Sequence, residues 1–319
     1  MLAENYTVSR PYACDNLTIF LIHGEEKLPE ANFLTLQEAL EQKKLIVHET
    51  GNVNELAIEN LSLEEVYVQA GDIVKGGLQD RVFAYDVIVP ARSGKIPTGA
   101  FCVEQGRWST RRAETGEEEP SVLFCSSAER VHTKDLKFAV LDSRSQSEVW
   151  DKVSEAQDKL SAKLGASVKA RRSATSLQLT LEDDKVDQRV KRYVRGLAPI
   201  IDGADRRSSV IGYAFAINGK VNSADLYASG ALFKKLWLKL LKASAVEAVA
   251  EFEEGKTFDP APVADVKAYL NCAGRYKVVE RQVTSRIRLI TQETDKTILQ
   301  DTCDQERSGA WIHRSCLVK

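Results

Sequence analysis

The sequence predicts an α+β fold: an antiparallel, β-rich N-terminal part followed by helices packed on a further antiparallel sheet. Three observations predict it. Short apolar runs crowd the first third, punctuated by Gly and Pro and with no helical period between them; that spacing gives antiparallel meanders and not βαβ units. From Ser145 onward apolar residues recur at helical intervals. From Tyr276 the pattern turns extended again.

Taken in order, Leu17–Ile22 is a strand held between Asp15-Asn16 and Gly24, both turn-forming. Leu36–Gln42 is a short helix and Leu45–His48 a strand. Glu55–Leu61, Glu65–Ala70, Asp72–Val74, Arg81–Val89 and Gly99–Glu104 are strands, separated at Gly71, Gly76-Gly77, Pro90, Ser93-Gly94 and Pro97. Arg111–Pro120 is a charged surface loop, and Val122–Cys125 and Leu136–Leu141 are further strands. Ser145 and Glu148 match a capping box. Behind them Val149, Val153, Ala156, Leu160 and Leu164 form an apolar stripe that Gly165 ends. A second helix spans Glu182–Leu197. Val210–Ile217 alternates large and small side chains, and Asn218-Gly219, the preferred dipeptide of a type I′ turn, returns the chain along Val221–Tyr227. The small face, Gly212, Ala214 and Ala216, predicts a helix close against it, with the apolar stripe of Ala231–Phe252 as the candidate. Val263–Leu270 is a last helix before the extended runs Tyr276–Ile290, Ile298–Cys303 and Ala310–Val318.

The 319 residues, 43% hydrophobic and 28% charged, are those of a globular chain able to bury a sizeable core. The reading is one domain over residues 1–319. It admits a sub-division into a β-rich part, 1–165, and an α+β part, 177–319, across the basic, serine-rich segment Val168–Ser176. Net charge is −2, and the basic pairs Arg111-Arg112, Arg171-Arg172, Arg206-Arg207 and Lys234-Lys235 are scattered, which excludes nucleic acid as the main partner. No apolar run reaches the roughly 18 residues of a spanning helix, so no membrane partner is expected. Met1–Arg10 lacks the character of a secretory signal. The six dispersed cysteines then read as reduced thiols, Cys102 and Cys125 among them as buried ones, and the expected location is cytoplasmic.

Four isolated histidines, His23, His48, His132 and His313, offer no metal-ligand spacing, and no phosphate-binding or nucleophile motif is present. Polar chemistry concentrates between Gly71 and Trp108. Asp72, Lys75, Gln79, Asp80 and Arg81 surround Gly76-Gly77, which permits positive φ and close approach of a ligand to the backbone. Lys75 and Arg81 suit an anion, and Gln79 supplies both a donor and an acceptor. A solvated hairpin tip explains the same composition. Asp86 lies inside an apolar run and needs a partner. Glu104, Arg107 and Trp108 at a strand end suit a pocket rim as acid/base, anion clamp and stacking surface; a Glu104–Arg107 ion pair beside a core tryptophan is the structural alternative. Asn218, Asn222 and Asp225 cluster at the second hairpin, where turn chemistry accounts for them. Arg286 and Arg288 fall on one face of a C-terminal strand and read as solvated.

Gly71-Asp-Ile-Val-x-Gly-Gly-x-Gln-Asp-Arg81 followed by Phe101-Cys-Val-Glu-x-Gly-Arg-Trp108 resembles an uncharacterised family named for its association with ADP-ribosylglycohydrolases and rhodanese-phosphatase-superfamily proteins. Ser147-Glu-Val-Trp150 and Gly212–Lys220, leading to Phe233 and Trp237, extend the likeness over most of the chain. The resemblance implies a role near NAD or ADP-ribose metabolism and transfers no catalytic set or cofactor.

Two roles follow. In one, the chain binds or processes a nucleotide-sugar such as ADP-ribose. Lys75, Arg81 and the Gly76 and Gly77 amides hold its diphosphate, Arg107 is a further ligand-binding residue at the rim, Trp108 stacks, Gln79 orients a hydroxyl and Glu104 is the general acid/base. In the other, the chain is a non-catalytic interaction or scaffold protein and these residues are structural. The sequence leaves oligomeric state open.

Overall fold

The computed structural model describes residues 6–109, 124–131, 133–142, 145–203, 209–271 and 276–319. It is α+β, and among the described residues pairing is antiparallel at every strand contact but one. Two compact units divide the chain. The first combines Met1–Ala31 with Val190–Lys319, and the second, Asn32–Arg189, is inserted between those segments.

The first unit opens with β1 (Thr7–Val8), β2 (Tyr12–Cys14) and β3 (Leu17–Gly24). The inserted unit then supplies β4 (Leu34–Thr35), α1 (Leu36–Glu41), β5 (Leu45–Glu49), β6 (Glu55–Asn60), β7 (Val66–Val68), β8 (Asp72–Gly76), β9 (Arg81–Phe83), β10 (Val87–Val89), β11 (Ile96–Cys102) and β12 (Phe124–Arg130). It ends in α2 (Lys134–Asp142), α3 (Gln146–Leu164), α4 (Leu177–Leu181) and the start of α5 (Asp184–Leu197). Back in the first unit come a 3₁₀ turn (Ala198–Ile201), β13 (Ser209–Ile217), β14 (Lys220–Tyr227), α6 (Gly230–Ala250), α7 (Val263–Leu270), β15 (Lys277–Gln282), β16 (Ile287–Glu293), β17 (Thr297–Asp304) and β18 (Ala310–Val318).

In the inserted unit a six-stranded sheet runs β12-β8-β9-β11-β6-β5, and a three-stranded sheet runs β10-β7-β4. Val47, Leu56, Ile58, Val66, Val74, Phe83 and Val87 meet in one core. The predicted strand Arg81–Val89 is two strands. Val82 and Phe83 pair in the larger sheet and Val87–Val89 pair with β7, so the chain changes sheets at Tyr85-Asp86. Two side chains fix that step: the Asp86 carboxylate accepts the Ala70 amide at 2.7 Å, and the Tyr85 hydroxyl accepts the Gly99 amide at 2.7 Å. Asp86 thereby finds the partner its apolar run demands.

Leu136–Leu141, expected as a strand, lies in helix α2. Leu136, Ala139 and Val140 are buried at i, i+3 and i+4, a helical spacing hidden by the shortness of the run. Ser145 is the N-cap of α3, but its hydroxyl bonds Ser147 Oγ at 2.6 Å and makes no cap bond; Gly165 ends the helix with φ 65° as expected. The segment Val168–Ser176 has a buried Val168, and Ser176 N-caps α4, a short helix the sequence did not announce. The Arg111–Pro120 loop lies outside the described residues.

The first unit is built on a nine-stranded sheet, β1-β3-β13-β14-β18-β17-β16-β15, with β2 also on β3. Asn218 and Gly219, at φ 52° and 74°, turn β13 into β14. Helix α6 packs on the aromatic face of β13, contrary to expectation: Tyr213 stacks with Phe233 at 6.2 Å and meets Trp237 edge-on at 5.7 Å. The small face, Ala214 and Ala216, packs with Ala261, Val266 and Leu270 at α7. Large rings on one element need large partners on the other, so they interlock with the bulkier helix. Arg286 is buried and not solvated, since Asp304 on the neighbouring strand takes both Nε and Nη2 at 2.8 and 2.7 Å. Among the described residues no helix is long and apolar enough to cross a membrane.

Candidate functional site

The Gly71–Trp108 motif lies wholly in the inserted unit. Antiparallel β8 and β9 place the Gly76–Asp80 turn at one end of the sheet, and β11 beside β9 sets Cys102 opposite Arg81. The chain leaving β11 therefore passes the turn, and the two halves of the motif are hydrogen-bonded to each other. Gln79 Nε2 donates to the Glu104 carbonyl at 2.8 Å, and the Asp80 amide donates to Glu104 Oε2 at 3.2 Å.

Arg107 closes the arrangement. Its Nε donates to Glu104 Oε2 at 2.7 Å, Nη1 to the Gly77 and Ser109 carbonyls, and Nη2 to the Gly76 carbonyl at 3.1 Å. Asp80 Oδ1 stands 3.6 Å from Nη2 and accepts the Gly76 amide at 3.1 Å. Gly76 and Gly77 sit at φ 114° and 51°, the positive values the double glycine permits. A Cβ on Gly77 would lie 2.4 Å from Phe124 Cζ and 2.7 Å from Glu49 Oε1. The glycines thus bring their carbonyls to Arg107 and leave room for Phe124 and Glu49.

Arg81 is fully buried. Nη1 donates to the Val53 carbonyl and to Cys102 Sγ, and Nη2 to Glu49 Oε2 at 3.1 Å. Glu49 Oε1 accepts the Leu78 amide at 2.9 Å. Burial pushes the Cys102 thiol up to about 11 despite the Arg81 charge, which favours the neutral thiol in the core. Cys125, expected to be buried, is exposed because it points outward from the edge strand β12. Lys75 bonds both Glu182 oxygens, at 2.9 and 3.0 Å. Trp108 is half exposed, with the Arg81 guanidinium 5.8 Å from its ring.

The structure therefore gathers Gly76, Gly77, Gln79, Arg81, Glu104 and Arg107 into one buried cluster, with Lys75 paired to Glu182 and Trp108 at the surface. Among the described residues three carboxylates, Glu49, Asp80 and Glu104, face two guanidiniums, Arg81 and Arg107. Two contributors were invisible in sequence. Glu49 ends a strand 32 residues before Arg81, and Ser176, whose Oγ donates to Asp80 Oδ2 at 2.8 Å, caps a helix 96 residues after Asp80. Neither carries a local signal. In the first unit His313 Nε2 lies 3.1 Å from Asp225 Oδ1, both buried, and the imidazole stacks on Tyr227 at 4.7 Å. Among the described residues no group of three or more His, Cys, Asp or Glu is placed to hold a metal ion.

A family model described as the ARG and Rhodanese-Phosphatase-superfamily-associated Protein domain matches residues 5–317. The chain belongs to the ARPP-1 family. The match runs through both compact units, so the ARPP-1 domain includes the insertion as well as the nine-stranded sheet. The family's description records an association and no reaction. No curated protein and no solved structure matches the chain.

Proposed function

We propose that this ARPP-1 chain is a non-catalytic interaction or scaffold protein in which the Gly71–Trp108 motif is a clamp holding the inserted unit together. One observation carries the reading: every nitrogen of Arg107 is engaged by protein oxygens, two of them the carbonyls of the double glycine. A guanidinium so occupied has no fork left for a phosphate. Lys75 is already paired with Glu182. Glu104 is fully buried, where a general acid would not reach a substrate.

Breaking a buried pair by removing one partner costs about 3–5 kcal/mol. Glu104→Gln and Arg107→Ala should each destabilise the free protein by about that much in denaturant unfolding. Neutral results at both positions would overturn the clamp.

The nucleotide-sugar reading keeps one supporting feature, the exposed Trp108 indole above Arg81, whose buried Nε has no hydrogen-bond partner among the described residues. Under that reading ADP-ribose raises the melting temperature and Arg81→Ala abolishes the rise. Under the clamp reading no nucleotide or nucleotide-sugar in a panel produces a shift.

A further inference from the structure

Three turns meet at one end of the inserted unit's six-stranded sheet: residues 42–44 before β5, 61–65 after β6 and 90–95 before β11. The middle turn is pinned to the other two. The Leu61 amide donates to the Lys44 carbonyl at 2.8 Å, and the Arg92 amide donates to the Ser62 carbonyl at 2.9 Å. The fully buried Asn60 donates Nδ2 to the Glu64 and Pro90 carbonyls at 2.7 and 2.9 Å. Its Oδ1 accepts the amide and the hydroxyl of Ser62, at 2.9 and 2.8 Å. With Ser62 drawn inward, Leu61 and Leu63 on either side of it are 51% and 73% exposed. Leu63 is the most exposed large hydrophobic residue among those described. The exposure of both leucines is therefore built into the fold.

Cations flank this tip at positions where the backbone makes them costly. Lys43 and Arg92, both exposed, sit at φ 54° and 50°. The other described non-glycine residues at positive φ are Asp15, Asn218 and Ser308, short polar turn formers. Glycine adopts that conformation more cheaply than Lys or Arg. Over residues 41–44, 61–65 and 90–95 the cations are Lys43, Lys44, Arg92 and Lys95, and the carboxylates are Glu41, Glu64 and Glu65. Lys44 and Glu64 pair at 2.7 Å and Glu65 is partly buried. Three exposed cations, Lys43, Arg92 and Lys95, thus stand beside one exposed carboxylate, Glu41.

The geometry points to an anionic lipid surface as the partner of this tip. Leu61 and Leu63 enter the acyl boundary, and Lys43, Arg92 and Lys95 meet the headgroup phosphates. A bilayer presents apolar chains beneath a layer of negative charge, and a leucine tip with cations on the turns beside it is the complement of that order. Two leucines cover far less than the roughly 800 Å² per partner of a stable protein interface. Reversible bilayer contact asks less, since one weak apolar signal and one electrostatic signal together suffice. Such a contact uses no spanning run, the feature on which the expectation of no membrane partner rested. It goes beyond the clamp and is separable from it: tip variants should leave denaturant unfolding unchanged, whereas clamp variants lower it.

Co-sedimentation of the full chain with vesicles tests the tip. The wild type should pellet with phosphatidylserine and phosphatidylcholine mixed in equal parts, and much less with phosphatidylcholine alone. Salt at about 1 M, where the Debye length falls to about 3 Å, should release it. Replacing both leucines, Leu61→Ser with Leu63→Ser, should weaken partitioning at least roughly tenfold. Lys43→Gly and Arg92→Gly should each weaken it about fivefold without lowering the melting temperature, because glycine relieves the positive φ. A wild type that stays in solution with the mixed vesicles overturns the proposal. So does equal binding by the double serine variant, equal binding to phosphatidylcholine alone, or full binding by both glycine variants.

Discussion

In the inserted unit Arg107 bonds three backbone carbonyls and one carboxylate, reaching them from a chain end that passes a glycine turn. In the first unit Arg286, just before β16, instead takes one carboxylate in a fork, Asp304 on the adjacent strand, with the exposed Glu306 at 3.1 Å as a further partner. Asp304 is held again by Arg307 and accepts the Glu306 amide. Both arginines neutralise buried carboxylate, but only the first depends on unusual backbone. Arg107 ties together pieces of chain that no ladder joins, whereas the Arg286 pair sits on a ladder that exists without it. The same residue type is a joint in one unit and a brace in the other.

The largest test of this contrast lies in the brace. Asp304→Ala should cost about 3 kcal/mol by leaving Arg286 buried without its fork. The native Asp304 also predicts the pH dependence. Burial pushes its carboxyl up, but the hydrogen bonds from Arg286 and Arg307 outweigh this and hold it below the ordinary value. Its contribution is therefore present above the unfolded carboxyl range and lost as pH falls through the lowered folded value. Acid titration of stability should show that loss in the wild type and a smaller one in Asp304→Ala.

Backbone comes next. Gly77→Ala forces both a positive φ and a contact with Phe124 and Glu49, so it should lower stability by about 3 kcal/mol. Gly106→Ala, at φ 86° with open space around it, should lose only about 1 kcal/mol. Equal losses would mean that the strained turn, and not the room it leaves, is what the clamp requires.

The smallest perturbation is chemical labelling. Cys125 should react with a thiol reagent in the folded protein, while Cys102 and Cys303, both pushed up to about 11 by burial, should react only on unfolding. Fast labelling of Cys102 would show that the Arg81 pocket opens in the native state.

Much of this was legible. The double glycine, Gln79, Arg81, Glu104 and Arg107 stand close enough in sequence for one hairpin and its neighbouring strand to unite them. What they unite into was not legible. A carboxylate, a guanidinium and an indole at a strand end fit a pocket rim and a buried joint equally well, and the clamp we propose takes the second reading from the burial of Glu104. Glu49 and Ser176 join the cluster from far along the chain. Leu136–Leu141 failed for a related reason, since a short apolar run carries no resolvable period.

By itself the sequence determined the α+β class, the Asn218-Gly219 turn, the long helix α6 and the position of the densest polar motif. These follow from local periodicity and turn chemistry, which act over a few residues. Tertiary structure alone decided that residues 32–189 form their own unit, that α6 covers the aromatic face of β13, and that the donors of Arg107 are spent within the protein. Those outcomes depend on which surfaces meet after the chain has folded back on itself, and no local pattern encodes that.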